Sequence, residues 1–171
     1  PQAKTLDEQR KESKRTLTAR CEKLASLLPR NKAAFVGCHL NVESKLLTEL
    51  IPDAVEVCGS DSDEIKEERL LGFIDGVYRV LVTKPKLAGF GLNFQHCSEV
   101  GYFPNFSHEM WYQFVRRTWR FGQRCPVNAY LVASESFSTV SEAMIRKERQ
   151  SIELFDGIVR EMHSVLSVQQ E

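Results

Sequence analysis

Short apolar runs alternate with amphipathic stretches along most of the chain. The apolar runs, which are typical of buried strands, occupy 32–39, 54–60, 78–83, 98–103 and 127–134. Apolar residues at helical spacing predict helices over 41–51, over 62–76 and from Ser107 to about Gln123. Strands that alternate with helices predict βαβ crossovers. The expected fold is therefore α/β, with a mainly parallel sheet covered by helices on both faces.

Amphipathic stretches also flank this alternating region. Residues 4–28 carry an apolar stripe at steps of four, three and four residues, which predicts a helix ended by Pro29. Residues 137–169 have a similar stripe and predict a long C-terminal helical stretch. The predicted organisation is an N-terminal helix (1–30), an α/β lobe (31–136) and a C-terminal helix packed on the lobe (137–171).

Two residues are expected to mark helix ends. Asn41 precedes an amphipathic stretch and has a side chain suited to capping, so it is predicted as the N-cap of the helix over 41–51. Gly76 follows the helix over 62–76 and is predicted to close it, because glycine adopts the left-handed conformation that ends many helices.

The composition is that of an ordinary soluble globular protein. Apolar residues make up 42% and charged residues 27%, and 23 Lys and Arg balance 23 Asp and Glu. This balance argues against wholesale wrapping of nucleic acid or of a membrane, so any anion site is expected to be local. No apolar run reaches the ~18 to 20 residues that cross a bilayer, and no membrane partner is predicted.

Metal binding is not indicated by the cysteines. The five cysteines lie far apart, without the CxxC or paired histidine spacing that zinc requires, so no metal site is predicted. They are interpreted as reduced thiols of a cytoplasmic protein. The chain begins at Pro1 and enters charged helical sequence at once, and we interpret it as a fragment of a longer protein.

The segment QFVRRTWRFGQR, residues 113–124, concentrates four arginines in a chain of zero net charge. On a helix, Arg117 and Arg120 would share a face, with Gln113 beside it. No acidic residue lies within the segment to balance this charge. Because guanidinium groups match phosphate geometry, the segment predicts binding of an external anion.

A second candidate is the glycine-rich segment VTKPKLAGFGLNFQ, residues 82–95. Its glycines allow positive φ or a close approach of the backbone to a partner, and amides after a strand can hold phosphate. The spacing matches neither G-x-G-x-x-G nor GxxxxGK[ST], so by itself the segment is more typical of a tight turn.

Taken together, these segments resemble the C-terminal RecA-like lobe of superfamily two helicases, most closely the Swi/Snf-type translocases. In that family, motif five ends Gly-x-Gly-[Ile/Leu]-Asn, which is matched by Gly89, Gly91, Leu92 and Asn93. Motif six is matched in register by Gln113, Arg117, Arg120, Phe121, Gly122 and Gln123. The resemblance covers about residues 30–134. It implies a RecA-like three-layer α/β/α fold, similar to that of P-loop NTPases but without the P-loop.

The resemblance also implies roles for individual residues. Arg117 and Arg120 would be arginine fingers that reach ATP held by an N-terminal RecA-like lobe, while Gln113, Gly122 and Gln123 would complete motif six. A further set would couple the ATP cleft to a nucleic-acid backbone: Thr83, Gly89, Gly91 and Asn93. His39 and Asn41, at the end of the first strand, are additional candidates for contact with that backbone.

The implied protein is an ATP-dependent DNA helicase or translocase of the cytoplasm, which uses ATP and Mg²⁺ and has DNA, or else RNA, as its partner. The chain contains no phosphate-loop lysine and no Asp-Glu box for magnesium. It is therefore expected to need an N-terminal lobe for hydrolysis, and to be inactive and without bound cofactor by itself.

Three positions depart from the family pattern. Arg116 stands where the family usually has Asp or Gly, and Trp119 where it often has His. Pro85 removes one amide before the glycines that could have bound phosphate. These departures are typical of a divergent member, such as one encoded by a bacteriophage or prophage.

Two other functions are compatible with the same residues. One is a non-catalytic RecA-like module that uses the arginine segment only to bind nucleic acid or a protein. The other is an unrelated doubly wound transferase that binds a sugar nucleotide at the glycine-rich turn. The transferase hypothesis does not explain the intervals between Gln113, Arg117, Arg120 and Gln123.

Overall fold

The structure, a computed structural model, describes residues 6–87, 93–105, 107–135, 142–150 and 152–153. Its helices are α1 (Leu6–Arg15), α2 (Leu17–Leu27), α3 (Asn41–Leu50), α4 (Asp63–Ile74) and α5 (His108–Val115). Residues 142–150 form a further helix, α6. The strands are β1 (Ala34–Gly37), β2 (Ala54–Val57), β3 (Val80–Thr83), β4 (Glu99–Tyr102) and β5 (Asn128–Leu131).

The five strands form one parallel sheet in the order β2-β3-β1-β4-β5. Each strand lies within one of the predicted apolar runs and is shorter than that run. The predicted α/β class and the parallel sheet are confirmed. The carboxyl ends of the strands share one edge of the sheet, and their amino ends share the opposite edge.

Helices cover the two faces of the sheet, as predicted. On one face Leu24 of α2 and Leu47 of α3 pack with Val36 in a buried cluster. On the other face Phe35 packs with Phe73 of α4 and with Phe114 of α5, and its ring stacks on Phe114 at a centroid distance of 3.9 Å. Phe35 and Val36 belong to different clusters because successive strand residues point to opposite faces.

The contact between α5 and the sheet requires a glycine in β1. A Cβ atom added to Gly37 would lie 2.6 Å from the Tyr102 ring and 2.9 Å from the Phe114 ring. Both rings are buried, so neither can move aside without disturbing the packing on this face.

The predicted helix over 4–28 is divided. Thr16 lies between α1 and α2 with φ −99° and ψ 10°. Its hydroxyl donates to the Glu12 carbonyl at 2.8 Å, a bond to the preceding turn that often bends a helix. The prediction for 137–169 is described only in part, because 137–141, 151 and 154–169 lie outside the described residues.

The predicted N-cap at Asn41 is wrong. Asn41 is the first residue of α3, and Leu40 occupies the N-cap position. The Glu43 carboxylate replaces the expected cap, because it accepts from the His39 amide at 2.9 Å and from the Leu40 amide at 3.0 Å. Gly76, by contrast, follows α4 with φ 78°, which confirms its predicted place at a helix end.

A buried ion pair attaches α2 to α3. Arg20 donates to the Glu43 carboxylate at 2.8 Å, with side-chain exposures of only 8% and 2%. The Arg20 guanidinium also donates to the Thr16 hydroxyl and lies 4.6 Å from the centre of the Phe103 ring. The N-terminal helices are therefore fixed to the same loops that leave the carboxyl edge of the sheet.

Within the described residues, no helix is both long enough and apolar enough to cross a membrane.

Candidate functional site

The helix that leads to the arginine segment is shorter than predicted. α5 begins after Ser107, whose hydroxyl accepts from the Met110 amide at 3.2 Å, but it ends at Val115 rather than at Gln123. Arg117 and Arg120 therefore lie in the turns beyond the helix and do not share a helix face. Because β4 and β5 are parallel, α5 returns the chain to the amino edge of the sheet, and the arginines lie there.

Backbone bonds explain why the helix stops. The Arg117 amide donates to the Phe114 carbonyl at 3.2 Å, and the Val115 carbonyl accepts from both the Thr118 amide at 3.0 Å and the Trp119 amide at 2.9 Å, so three-residue and four-residue steps are mixed in the last turn. The Arg117 carbonyl, in turn, accepts from the Phe94 amide at 2.8 Å. A tertiary contact thus replaces the next helical bond.

Two neighbouring residues stabilise the turn that carries the arginines. Gln123 donates through Nε2 to the carbonyls of Cys97 and Thr118, at 3.0 and 3.1 Å. Gly122 has φ 92°, a conformation that side chains disfavour. These two residues of the predicted motif six therefore fix the backbone around Arg117 and Arg120.

The surroundings of Arg117 are unusual for an arginine. Burial, and secondly the charge of Arg120, lower the pKa of Arg117 from its ordinary value. The Arg117 Nε atom is buried without a hydrogen-bond partner. None of the ion pairs between described residues includes Arg116, Arg117, Arg120 or Arg124. This turn is a positively charged surface that lacks a carboxylate partner among the described residues.

The end of the glycine-rich segment contacts this turn. Gln95 donates through Nε2 to the Phe121 carbonyl, and a Cβ atom at Gly122 would lie 3.0 Å from that same nitrogen. Asn93 is exposed and directly precedes Phe94, which bonds to the Arg117 carbonyl. The predicted residues Gly89 and Gly91 lie outside the described residues.

Three other predicted residues lie at the carboxyl edge. Thr83 is buried, and its hydroxyl donates to the Val57 carbonyl at 2.9 Å. The Nε2 atom of His39 lies 2.8 Å from the Phe103 carbonyl oxygen, and burial lowers the pKa of this histidine. Asn41 is exposed.

The structure therefore brings the predicted residues together in two sets at opposite edges of the sheet. The carboxyl-edge set is His39, Asn41 and Thr83, and the amino-edge set is Asn93, Arg117, Arg120, Gly122 and Gln123. Gln113 lies between the two edges, exposed on α5, where it donates to Glu109 at 3.1 Å.

Sequence reasoning missed a buried acidic residue close to the amino-edge set. Glu99, the first residue of β4, is fully buried and accepts from Lys32 at 2.9 Å, from Tyr130 at 2.9 Å and from Asn128 at 3.1 Å. Burial raises its pKa, but these hydrogen bonds outweigh burial, so the pKa lies below its ordinary value. The only sequence signal was an acidic residue inside the apolar run 98–103.

Comparison with known proteins identifies the fold. No family model matches the sequence, and no curated protein matches it either. Among solved structures, the C-terminal domain of the DEAD-box protein Dbp5 matches with a TM-score of 0.61 at 16% identity, over 78% of this chain and 78% of that chain. The C-terminal part of the Fun30 ATPase domain matches with a TM-score of 0.58 at 16% identity, over 73% of this chain and 51% of that chain.

A DEAD box protein from the hyperthermophile Methanococcus jannaschii matches with a TM-score of 0.65 at 19% identity, over 76% of this chain and 37% of that chain. This chain thus spans about half or less of the last two matched chains. The likeness establishes the fold: a RecA-like α/β lobe similar to the C-terminal domains of helicases and ATPases.

Proposed function

We propose that this chain is the C-terminal lobe of an ATP-dependent DNA helicase or translocase. In this proposal Arg117 and Arg120 reach ATP and Mg²⁺ held by an N-terminal RecA-like lobe. The observation that carries it is the arginine turn itself, which is firmly bonded yet offers Arg117 and Arg120 no carboxylate partner among the described residues. Phosphate oxygens would supply the missing negative charge.

The proposed contribution to catalysis is electrostatic. During phosphoryl transfer, negative charge spreads over the oxygens of the γ-phosphoryl group, and a positioned guanidinium stabilises it. Burial, and secondly repulsion from Arg120, lower the pKa of Arg117, so a phosphate placed between the two arginines would offset an existing cost. Gln123 and Gly122 would act as positioning residues, because they fix the turn rather than the phosphate.

The carboxyl edge is the proposed site of nucleic-acid backbone contact. Asn41 is exposed there at the first turn of α3, and its side-chain amide is free to donate to a phosphate oxygen. Thr83 and His39 already have protein partners, so we expect them to position this edge. Backbone contacts do not read bases, and so RNA remains an alternative to DNA as the partner.

Gly89, Gly91 and Asn93 would connect the two edges. They follow Thr83 in sequence and precede Phe94, whose amide bonds to the Arg117 carbonyl. A shift of this segment on nucleic-acid binding would therefore reach the backbone of the arginine turn directly. Gln113 lies on the intervening helix and is proposed to approach the nucleotide.

The test is the DNA-stimulated ATPase activity of the protein that contains both lobes. We expect Arg117→Ala and Arg120→Ala to lower kcat by about 10³- to 10⁵-fold, as removal of an arginine finger does elsewhere. Arg124→Ala is the matched control, because Arg124 is exposed in the same segment, and it should keep near-normal activity. Wild-type ATPase activity in Arg117→Ala would contradict the finger assignment.

The same two variants distinguish the proposed ATPase lobe from a non-catalytic RecA-like module that only binds nucleic acid or a protein. A binding module would show no ATPase activity in any protein that carries this chain. Its nucleic-acid affinity would be salt-dependent and would fall in both arginine variants.

A further inference from the structure

A cavity of about 390 Å³ lies between α4 and the sheet, and we call it the α4 cavity. One face of α4 lines it in steps of three and four residues, from Asp63 to Ile74. The sheet contributes Phe35, Leu81 and Thr83. Protein interiors normally leave few voids larger than a water molecule, whereas cavities of this size with a mainly apolar lining are typical of small-molecule sites.

The α4 cavity is apolar at one end and polar at the other. Because α4 connects two parallel strands, it begins near the carboxyl edge of the sheet and ends near the amino edge. Its apolar residues Leu70 and Ile74 therefore lie toward the amino edge. Asp63 and Glu67 lie toward the carboxyl edge, where Thr83 ends its strand. Ligands of open α/β sheets bind outside the carboxyl ends of the strands, so the polar end is the expected mouth.

The apolar end favours an aromatic ring. The rings of Phe35 and Phe94 both line the cavity, with their centroids 4.9 Å apart and their planes tilted by 59°. A further ring would gain aromatic contacts with them beyond the gain from burial of its area. An apolar cavity of about 150 Å³ binds benzene, so the α4 cavity has room for a two-ring molecule such as indole.

The polar end presents hydrogen-bond acceptors and an excess of negative charge. The Thr83 hydroxyl donates to the Val57 carbonyl at 2.9 Å, so toward a ligand its oxygen can only accept. Lys66 donates to Asp63 at 3.2 Å, and the two charges offset each other. Glu67 is exposed and forms no ion pair with a described residue. A ligand with a cationic donor group therefore fits this end.

We propose that the α4 cavity binds a small aromatic molecule that carries one cationic amine. The ring would lie between α4 and the Phe35 and Phe94 rings, and the amine would face Glu67 and Thr83 at the mouth. An anionic aromatic molecule would be repelled by Glu67, and an aliphatic amine would lack the ring contacts.

This site is separate from the contacts with ATP and nucleic acid in the proposed function. None of the four arginines in residues 113–124 lines the cavity, and Thr83 is the only lining residue that the proposed function uses. The inference therefore does not depend on ATP hydrolysis. It can be tested on the 171-residue chain without nucleotide or nucleic acid.

The experiment titrates the chain with tryptamine, indole and indole-3-acetate, which share a ring but differ in charge, and follows binding by ligand-observed NMR. For a molecule of this size we expect a tryptamine dissociation constant of about 10⁻⁵ to 10⁻³ M. Attraction by Glu67 should make tryptamine bind about 2- to 5-fold more tightly than indole, and repulsion should weaken indole-3-acetate by about the same factor. Glu67→Gln should remove most of these differences. Glu68→Gln, at an exposed neighbour outside the lining, should preserve them.

A second variant tests the cavity itself. Leu70→Trp places a ring in the cavity, so it should abolish tryptamine binding. It should also raise the urea midpoint by about 0.2–1 M, because filled volume adds contacts. Ile65→Trp is the matched control: Ile65 belongs to the same helix, is 39% exposed and does not line the cavity, so this variant should change neither quantity.

Three outcomes would overturn the proposal. They are no measurable tryptamine binding by the wild type, binding of indole-3-acetate as tight as that of tryptamine, and a Leu70→Trp variant that unfolds at a lower urea concentration than the wild type or still binds tryptamine. The second outcome would reject the cationic ligand, and the third would reject the cavity as its site.

Discussion

The buried pair between Arg20 and Glu43 provides a sharp test of how the N-terminal helices are held. Arg20 bonds to Glu43 at 2.8 Å, to the Ser13 carbonyl at 2.7 Å and to the Thr16 hydroxyl at 3.0 Å. Arg20→Met keeps most of the side-chain volume but removes the charge and all three of these hydrogen bonds.

The expected loss of unfolding free energy follows from the Glu43 carboxylate that remains buried without its partner. In Arg20→Met the Glu43 carboxylate keeps the His39 and Leu40 amides but loses its only cationic partner among the described residues. Removal of one member of a buried pair costs about 3–5 kcal/mol. At a urea slope of about 2 kcal/mol per molar, the midpoint should fall by about 2 M.

The assay is urea unfolding at pH 7, followed by circular dichroism. Arg15→Met is the matched control, because Arg15 also lies 2.8 Å from a glutamate, Glu12, but is 72% exposed. Since solvent screens an exposed pair, this control should leave the midpoint almost unchanged. The double variant Arg20→Met with Glu43→Gln should recover part of the lost stability, because no unpaired charge then remains buried.

Two results would refute this reasoning. One is an Arg20→Met midpoint no lower than that of Arg15→Met. The other is a double variant whose loss equals the sum of the two single losses, since residues that interact directly must show coupling.

Three further predictions concern other parts of the fold, each measured by urea unfolding. Gly37→Ala should cost about 1–3 kcal/mol by overpacking, whereas Gly59→Ala, whose Cβ would meet nothing closer than 3.8 Å, should be tolerated. Gly76→Ala should lower the free energy of unfolding by about 1–2 kcal/mol. The cause would be backbone strain alone, because φ is 78° and no atom lies within 4 Å of the Cβ position. An unchanged urea midpoint would contradict this prediction. Tyr130→Phe removes one hydrogen-bond donor from the Glu99 carboxylate. The pKa of Glu99 is lower in the folded than in the unfolded protein, so its ionised form stabilises the fold at pH values above the unfolded pKa. This stabilisation is lost as the pH falls through the folded pKa. The stability difference between wild type and Tyr130→Phe should therefore be largest near pH 7 and shrink in acid, and a difference independent of pH would refute the role of Glu99.

The sequence predicted elements well where local chemistry decides them. The strands were found because each is a short apolar run, and buried parallel strands need no alternation of polar residues. Ser107 and Gly76 mark helix ends because a hydroxyl cap and a left-handed glycine act within one turn.

The wrong predictions concern helix ends that are in contact with residues from other parts of the chain. α5 was predicted to continue to Gln123, but the Phe94 amide takes the Arg117 carbonyl and the helix ends at Val115. Asn41 was predicted as an N-cap, but the Glu43 carboxylate in the same first turn takes the amides before α3, and Arg20 from another helix pairs with that carboxylate. Phe94 and Arg20 both lie far in sequence from the helices that they contact.

The sequence by itself determined the fold class, the strand positions and the local excess of arginine, because these depend on periodicity and composition. Only the tertiary structure decided which candidates lie together. It separated Thr83 and His39 from Arg117 and Arg120, and it revealed the unpartnered Nε atom of Arg117. The physical reason is that burial and hydrogen-bond partners are set by contacts between elements far apart in the chain, and no local pattern of residues records them.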